Sequence, residues 1–180
     1  MNDKIMIDID GVIRDWTGSV YSVLKKYYPN EAPTESPIIT SWNIEEFYPN
    51  IYGFHHLVFD THAEEICYSA KVLPFVHRAL NMLRANKIEI ILNSHQTPNM
   101  LEGTSKYLLI NNIEYDYFIV SNNKSKRFDN ITLIDDKFSN CDPRYNDILI
   151  NLPHNREDIY RGERADNLYY AVKKYLELNL

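Results

Sequence analysis

Short apolar runs, each closed by polar residues, recur along the chain with stretches of helical spacing between them. Runs over residues 4–9, 88–92, 117–120, 131–134 and 147–152 read as strands. Between the first two, Val72, Phe75, Val76, Ala79, Leu80 and Leu83 fall at helical spacing, with Arg78, Asn81 and Arg84 on the other face. Residues 98–110 and 166–178 predict further helices, the first with Pro98 in its opening turn. Strands alternating with helices imply an α/β fold, a doubly wound, Rossmann-like parallel sheet of about five strands covered on both faces. Ligands bind such sheets beyond the carboxyl ends of the strands, so the residues just after each apolar run are the ones that can carry chemistry.

Residues 16–71 break this rhythm. They contain Pro29, Pro33, Pro37 and Pro49 and 11 of the 23 aromatic residues. A segment that long inside a compact α/β domain predicts an inserted helical cap rather than a loop. The expected organisation is therefore a core of residues 1–15 and 72–180 with a cap of residues 16–71. The cap aromatics are expected to form its own small core, while some face a pocket at the strand ends.

At 180 residues with 44% apolar content, the chain has room for one domain with a modest insertion and a real core. A net charge of -6 leaves no basic field to collect a polyanion, so extended nucleic acid is not an expected partner, although a small anion can bind locally. Cys67 and Cys141 are far apart, which suits a reducing compartment and two ordinary thiols. No run approaches the ~20 apolar residues of a membrane span, and the first residues lack the pattern of a secretion signal. The expectation is a soluble, cytoplasmic protein with no membrane partner.

Four strand ends carry candidate chemistry. The first is Asp8-Ile9-Asp10-Gly11-Val12, where a period of two points both aspartates the same way and Gly11 lets the backbone turn out of the sheet. Carboxylates that close repel unless a cation or a proton sits between them; the bland alternative is a solvated turn. A calcium loop would need a third acidic position and a later glutamate at fixed spacing, and neither is present. The second strand ends in Leu92-Asn93-Ser94-His95, short hydrogen-bonding groups ahead of a helix whose first amides can face an anion. His95 reads as a surface histidine or an acid–base group. After the third strand, Asn123-Lys124-Ser125-Lys126-Arg127 supplies lysines able to act as point charges for phosphate. The fourth ends in Ile134-Asp135-Asp136, a second carboxylate pair.

In order, Asp-x-Asp, a small hydroxyl, a lysine and Asp-Asp at four successive strand ends resemble the haloacid dehalogenase-like superfamily of phosphotransferases. An insertion between the first two motifs, the IILNS strand, and ILINLPHNR before the closing helix narrow the resemblance toward 5'(3')-deoxyribonucleotidase-like proteins. It spans nearly the whole chain, strongly at the motifs and weakly in the insertion. In one departure, Asn93 stands where family members usually carry Thr or Ser, with Ser94 next.

The resemblance implies a Mg²⁺-dependent phosphomonoester hydrolase, a 5'-nucleotidase acting on (deoxy)nucleoside monophosphates. Asp8 would be the nucleophile, forming an aspartyl-phosphate that water resolves. Asp10 would protonate the departing oxygen and then take a proton from the water, so its surroundings in the complex must favour the protonated form. Mg²⁺ would be held by Asp8, the Asp10 carbonyl and Asp135 or Asp136, an all-oxygen set that suits magnesium. Asn93 or Ser94 and Lys124 or Lys126 would hold the phosphate, with Ser94 and Lys124 counted among the catalytic groups. Trp42, Phe47, Tyr48, Tyr52 and Phe54 are candidates to stack on a base. The alternatives are a 3'-phosphatase on nucleic-acid ends and a catalytically weak nucleotide-binding member of the same fold. A receiver-like signalling domain fits poorly, because Ser121 rather than an aspartate follows the third strand. The implied partner is a small phosphate monoester, and a homodimer is left open.

Overall fold

A computed structural model describes residues 3–121 and 131–179, so Lys124 and Lys126 lie outside the described residues. The first strand, β1 (Lys4–Ile7), is followed by β2 (Arg14–Asp15), α1 (Trp16–Tyr27), α2 (Phe54–His56), α3 (Ala63–Ser69) and β3 (Lys71–Val72). Then come α4 (Val76–Ala85), β4 (Glu89–Ser94), α5 (Pro98–Ile110), β5 (Tyr117–Val120), β6 (Thr132–Asp135), β7 (Ile148–Ile150), β8 (Glu163–Ala165) and α6 (Leu168–Asn179). Six strands form one sheet in the order β5-β4-β1-β6-β7-β8, with every neighbouring pair parallel. The register sets Ile7 beside both Leu92 and Ile134. The residues at and just past the ends of β1, β4 and β6 therefore emerge at one carboxyl edge, and these are the acidic and hydroxyl motifs.

The sheet core follows strand alternation. Ile5, Ile7, Ile90, Leu92, Ile134, Ile148 and Ile150 pack in one cluster with Leu80 and Leu83 of α4 and Val172 and Tyr175 of α6. The alternate positions Met6, Ile91 and Leu133 form a smaller cluster. Each fully buried Ile or Leu contributes roughly 1.5–3 kcal/mol of transfer free energy.

The expected parallel sheet of about five strands is present with six, the additional one being β8, Glu-Arg-Ala, a short edge strand without an apolar run. Two expectations are corrected. Val72 is not helical: it pairs with Arg14 in the two-stranded antiparallel β2–β3 sheet, and the left-handed backbone of Phe75 (φ 65°) delays α4 to Val76. β1 stops at Ile7, before Asp8 and Asp10.

Between β2 and β3 the chain is largely helical, with a core of its own that includes Val20, Leu24, Ile44, Tyr48, Phe54 and Ile66. The Asp15 carboxylate caps α1 by accepting from the Gly18 amide at 2.9 Å. α3 lies hard against α5, since a Cβ on Gly103 would stand 2.3 Å from the Glu64 carbonyl oxygen. No helix among the described residues is long and apolar enough to cross a membrane.

Candidate active site

Past β1 the chain leaves the sheet in a tight turn. The amides of Ile13 and Arg14 both donate to the Ile9 carbonyl, at 2.8 and 3.0 Å, and the Gly11 amide donates to the Arg14 carbonyl at 3.0 Å. Gly11 sits at φ +74°, and a Cβ there would come within 2.3 Å of Asp136 Oδ2, so both backbone and space require glycine.

The turn sends the two aspartates of the first motif to different partners, where alternation predicts a common direction. Asp8 joins Asp135 and Asp136: one oxygen of each lies within 4.8 Å of the others, and all three residues are buried. Asp10 instead meets Arg14, which donates from Nε to Oδ1 at 2.5 Å and from Nη2 to Oδ2 at 3.2 Å.

The acidic cluster is held by backbone and side-chain donors. Asp8 Oδ1 accepts from the Ile9 amide at 2.7 Å. Asp135 accepts from the Lys137 amide at 2.7 Å and from Asn140 Nδ2 at 3.1 Å. Behind Asp136, Asn155 Nδ2 donates to the Asp136 carbonyl at 2.6 Å, and Arg164 Nη2 in turn donates to Asn155 Oδ1 at 3.0 Å. This gives Asn155 of the LPHNR stretch a physical role, that of fixing the second carboxylate pair, with Arg164 of β8 behind it. Three buried carboxylates this close repel strongly unless positive charge lies among them, and the all-oxygen set fits a hard divalent ion such as Mg²⁺.

Arg14 is fully buried and also donates to Thr104 Oγ1 at 2.9 Å and to the Cys67 carbonyl at 3.3 Å. Burial opposes its charge, but the adjoining Asp10 carboxylate, Cys67 and Tyr107 together more than offset this, and the guanidinium pKa stands above its ordinary value. Burial pushes the Cys67 thiol up, which keeps it unreactive.

A cavity of about 640 Å³ opens over the strand ends. Asp8, Asp10, Ser94 and Asp136 line it from the sheet edge, and Trp16, Ile38, Trp42 and Phe59 from the insertion. Lys137 and His154 are also on its wall. His154 meets Trp42 edge-on, with ring centroids 4.2 Å apart, and Lys137 Nζ stands 5.4 Å from the Trp42 ring. His154 Nε2 lies 3.3 Å from Asp136 Oδ2, without the alignment of a hydrogen bond.

The structure thus brings Asp8, Asp10, Ser94 and Asp136 to one cavity, with Asp135 buried beside it. Ser94 Oγ accepts from Gln96 Nε2 at 2.6 Å and lies 3.4 Å from Asp10 Oδ2. The Asn93 expectation is corrected. Its side chain falls on the Met6 side of the sheet, with Nδ2 3.0 Å from the Met6 sulfur, and it is not on the cavity wall. The stacking expectations are corrected for all but Trp42. Tyr48 and Phe54 are buried against each other, Phe47 packs on the same cluster, and Tyr52 is almost fully exposed away from the cavity. Sequence reasoning missed Arg14, Gln96, Lys137 and His154. Lys137 directly follows Asp135-Asp136 and His154 stands four residues past β7, so inspection of every strand exit through four further residues would have found both.

The sequence matches no protein-family model and no curated protein. The likeness is in the fold, which this chain shares with solved haloacid dehalogenases and related hydrolases. L-2-haloacid dehalogenase from Xanthobacter autotrophicus superposes with a TM-score of 0.63 at 10% identity, covering 98% of this chain and 99% of that one. CbbY from Rhodobacter sphaeroides, solved in complex with phosphate, gives 0.58 at 9% identity over 94% and 96%. A subfamily IA hydrolase of the superfamily from Geobacter sulfurreducens gives 0.58 at 11% over 95% of each chain. At such identities it is the architecture that is shared.

Proposed function

We propose that the chain is a metal-dependent phosphomonoester hydrolase that uses Asp8 as nucleophile, with residues 16–71 as its cap and nucleoside 5'-monophosphates as preferred substrates. The observation that carries the reading is the convergence of Asp8, Asp135 and Asp136 within 4.8 Å, beside a cavity large enough for a nucleotide.

A phosphate monoester is a dianion, and a carboxylate cannot approach it unaided. Mg²⁺ bound by Asp8, Asp135 and Asp136 would supply the positive charge that offsets this repulsion. An Asp8 oxygen bonds to phosphorus as the ester P–O bond breaks, and the electron pair stays on the leaving oxygen, which takes a proton from Asp10. Water then bonds to phosphorus and gives a proton to Asp10, and the bond to Asp8 breaks with its pair returning to the carboxylate. Among the described residues every hydrogen bond to Asp10 comes from a donor, which suits the second step, where it accepts a proton. In the first step the proton would sit on Oδ2, whose contacts at 3.2–3.4 Å are the longer ones, while Arg14 Nε keeps hold of Oδ1 at 2.5 Å. Ser94 Oγ, on the cavity wall, would contact a phosphoryl oxygen. Trp42, with Lys137 and His154 around it, would stack on a base.

The test is a Mg²⁺-dependent screen of ribo- and deoxynucleoside 5'- and 3'-monophosphates, glucose phosphates, a 3'-phosphorylated oligonucleotide and 2-chloropropionate. Phosphate release fastest from 5'-monophosphates is the expected result. Equal rates on glucose phosphates would remove the nucleotide preference. Halide release without phosphate release would overturn the reading as a whole.

A further inference from the structure

The geometry points to Arg14 as the positioning residue that sets Asp10 for proton transfer, an inference that rests on the phosphatase reading above. Arg14 belongs to a closed ring of bonds. It grips both oxygens of Asp10, its Nη1 donates to Thr104 Oγ1, Thr104 Oγ1 donates to Gln96 Oε1 at 2.7 Å, and Gln96 Nε2 returns to Ser94 Oγ at 2.6 Å and Asp10 Oδ2 at 3.4 Å. The Cys67 carbonyl of α3 accepts a further bond from Nη1 at 3.3 Å.

Each partner comes from a different element: Arg14 from β2, Ser94 from β4, Gln96 from the turn after β4, Thr104 from α5 and Cys67 from α3. A fully buried guanidinium is expensive unless its donors are met, and here they are met by groups whose positions the whole fold determines. The planar fork fixes the plane of the Asp10 carboxylate as well as its distance, which an ammonium cannot do. Arg14 is neither a member of the acidic cluster nor a lining residue of the cavity, so it acts through Asp10, which does line it.

If Arg14 orients Asp10, its loss is felt where Asp10 must give its proton. An alkyl oxygen leaves only as that proton arrives, whereas a nitrophenolate leaves without one. The quantity to read is kcat/KM, which covers the steps up to cleavage of the ester bond. For Arg14→Lys the expected result with Mg²⁺ is a fall of about tenfold for a nucleoside 5'-monophosphate, a fraction of the 10²–10⁴ that acid–base catalysis contributes, against less than about threefold for p-nitrophenyl phosphate. Equal losses on both substrates would reduce Arg14 to a structural role and overturn the inference. Thr104→Val keeps the volume and removes one link of the ring, and should show the same split at smaller size. Should Arg14→Lys fail to fold by circular dichroism, Thr104→Val decides, and an unsplit loss or no loss overturns the proposal. In an Asp10→Asn background Arg14→Lys should add nothing on either substrate, and a further loss there would also overturn it. A wild-type protein inactive on both substrates would remove the phosphatase reading, while wild-type activity with unsplit variants would remove this inference alone.

Discussion

Replacing Gly11 by alanine tests the site from its tightest point. The residue occupies a left-handed backbone at φ +74°, and the new Cβ would stand 2.3 Å from Asp136 Oδ2 and 2.8 Å from its Cγ. The backbone term alone is roughly 1–2 kcal/mol. Gly53 supplies the control, because it has nearly the same φ, +70°, and a Cβ added there would meet nothing within 4 Å. Gly53→Ala should therefore lower the unfolding temperature by roughly 2–8 °C and change nothing else, at about 2–4 °C per kcal/mol for a chain of this size. Gly11→Ala suffers the same strain and must also drive the Asp136 oxygen back by about 1 Å to reach ordinary contact, a misplacement that costs on the order of a hundredfold in turnover at catalytic centres. The assays are Mg²⁺ titration calorimetry and thermal unfolding with and without Mg²⁺. A tenfold weaker Mg²⁺ affinity removes about 1.4 kcal/mol of metal-linked stabilisation, so Mg²⁺ should raise the unfolding temperature of Gly11→Ala by roughly 3–6 °C less than that of wild type. Identical unfolding and identical Mg²⁺ binding in the two alanine variants would refute the claim that Asp136 is held where a cation needs it.

Asp8→Asn should abolish phosphate release while the far-ultraviolet circular dichroism stays that of the wild type; turnover at the wild-type rate would remove Asp8 from the nucleophile role. Asp116 accepts from the Ile90 amide at 2.7 Å and from Arg84 at 2.5 Å, and these contacts, the amide first, hold its pKa below the ordinary carboxylate value. A depressed folded-state pKa stabilises the fold above the unfolded value and loses that contribution as pH falls through the folded one. The unfolding-temperature deficit of Asp116→Asn should accordingly be full at pH 7 and shrink below about pH 4, the region of an unperturbed aspartate; a deficit unchanged down to pH 2 would contradict it. Gly103→Ala pushes against the Glu64 backbone and should separate α3 from α5, lowering the unfolding temperature and weakening the Cys67 contact to Arg14. Full retention of wild-type stability would show that the close approach is relieved without consequence.

The parallel sheet is legible because its buried strands are continuous apolar runs, and the acidic motifs are legible because each directly follows one. β8 is hidden for the converse reason: an edge strand of three residues has no apolar signature. The partner of Asp10 is hidden by geometry. Arg14 returns to it only through the left-handed turn at Gly11, and its other two partners, Cys67 and Thr104, lie 53 and 90 residues beyond it in sequence. Trp42 and Tyr48 share composition, neighbourhood and apparent suitability for stacking. Which of them enters the insertion's core is decided by how its short helices close on one another, and no periodicity records that closure.

The same bonds tie the insertion to the chemistry. β2, which opens into α1, carries Arg14 and Asp15, and its antiparallel pairing with β3 ties together the two ends of the inserted segment. The Arg14 carbonyl accepts from the Gly11 amide while its guanidinium grips Asp10, so one residue helps to close the Gly11 turn and orients the carboxylate beside it. On the far side, Thr97 Oγ1 donates to the Phe59 carbonyl at 3.1 Å, and α3 is seated on Gly103 of α5. Phe59 and Trp42 line the cavity from the insertion while Ser94 and Asp136 line it from the sheet. A displacement of α3 relative to α5 would therefore strain the Cys67–Arg14–Asp10 chain as well as reshape the cavity wall. Under the proposed function, substrate selection and proton transfer would be coupled through these contacts, with Arg14 as the residue at which they meet.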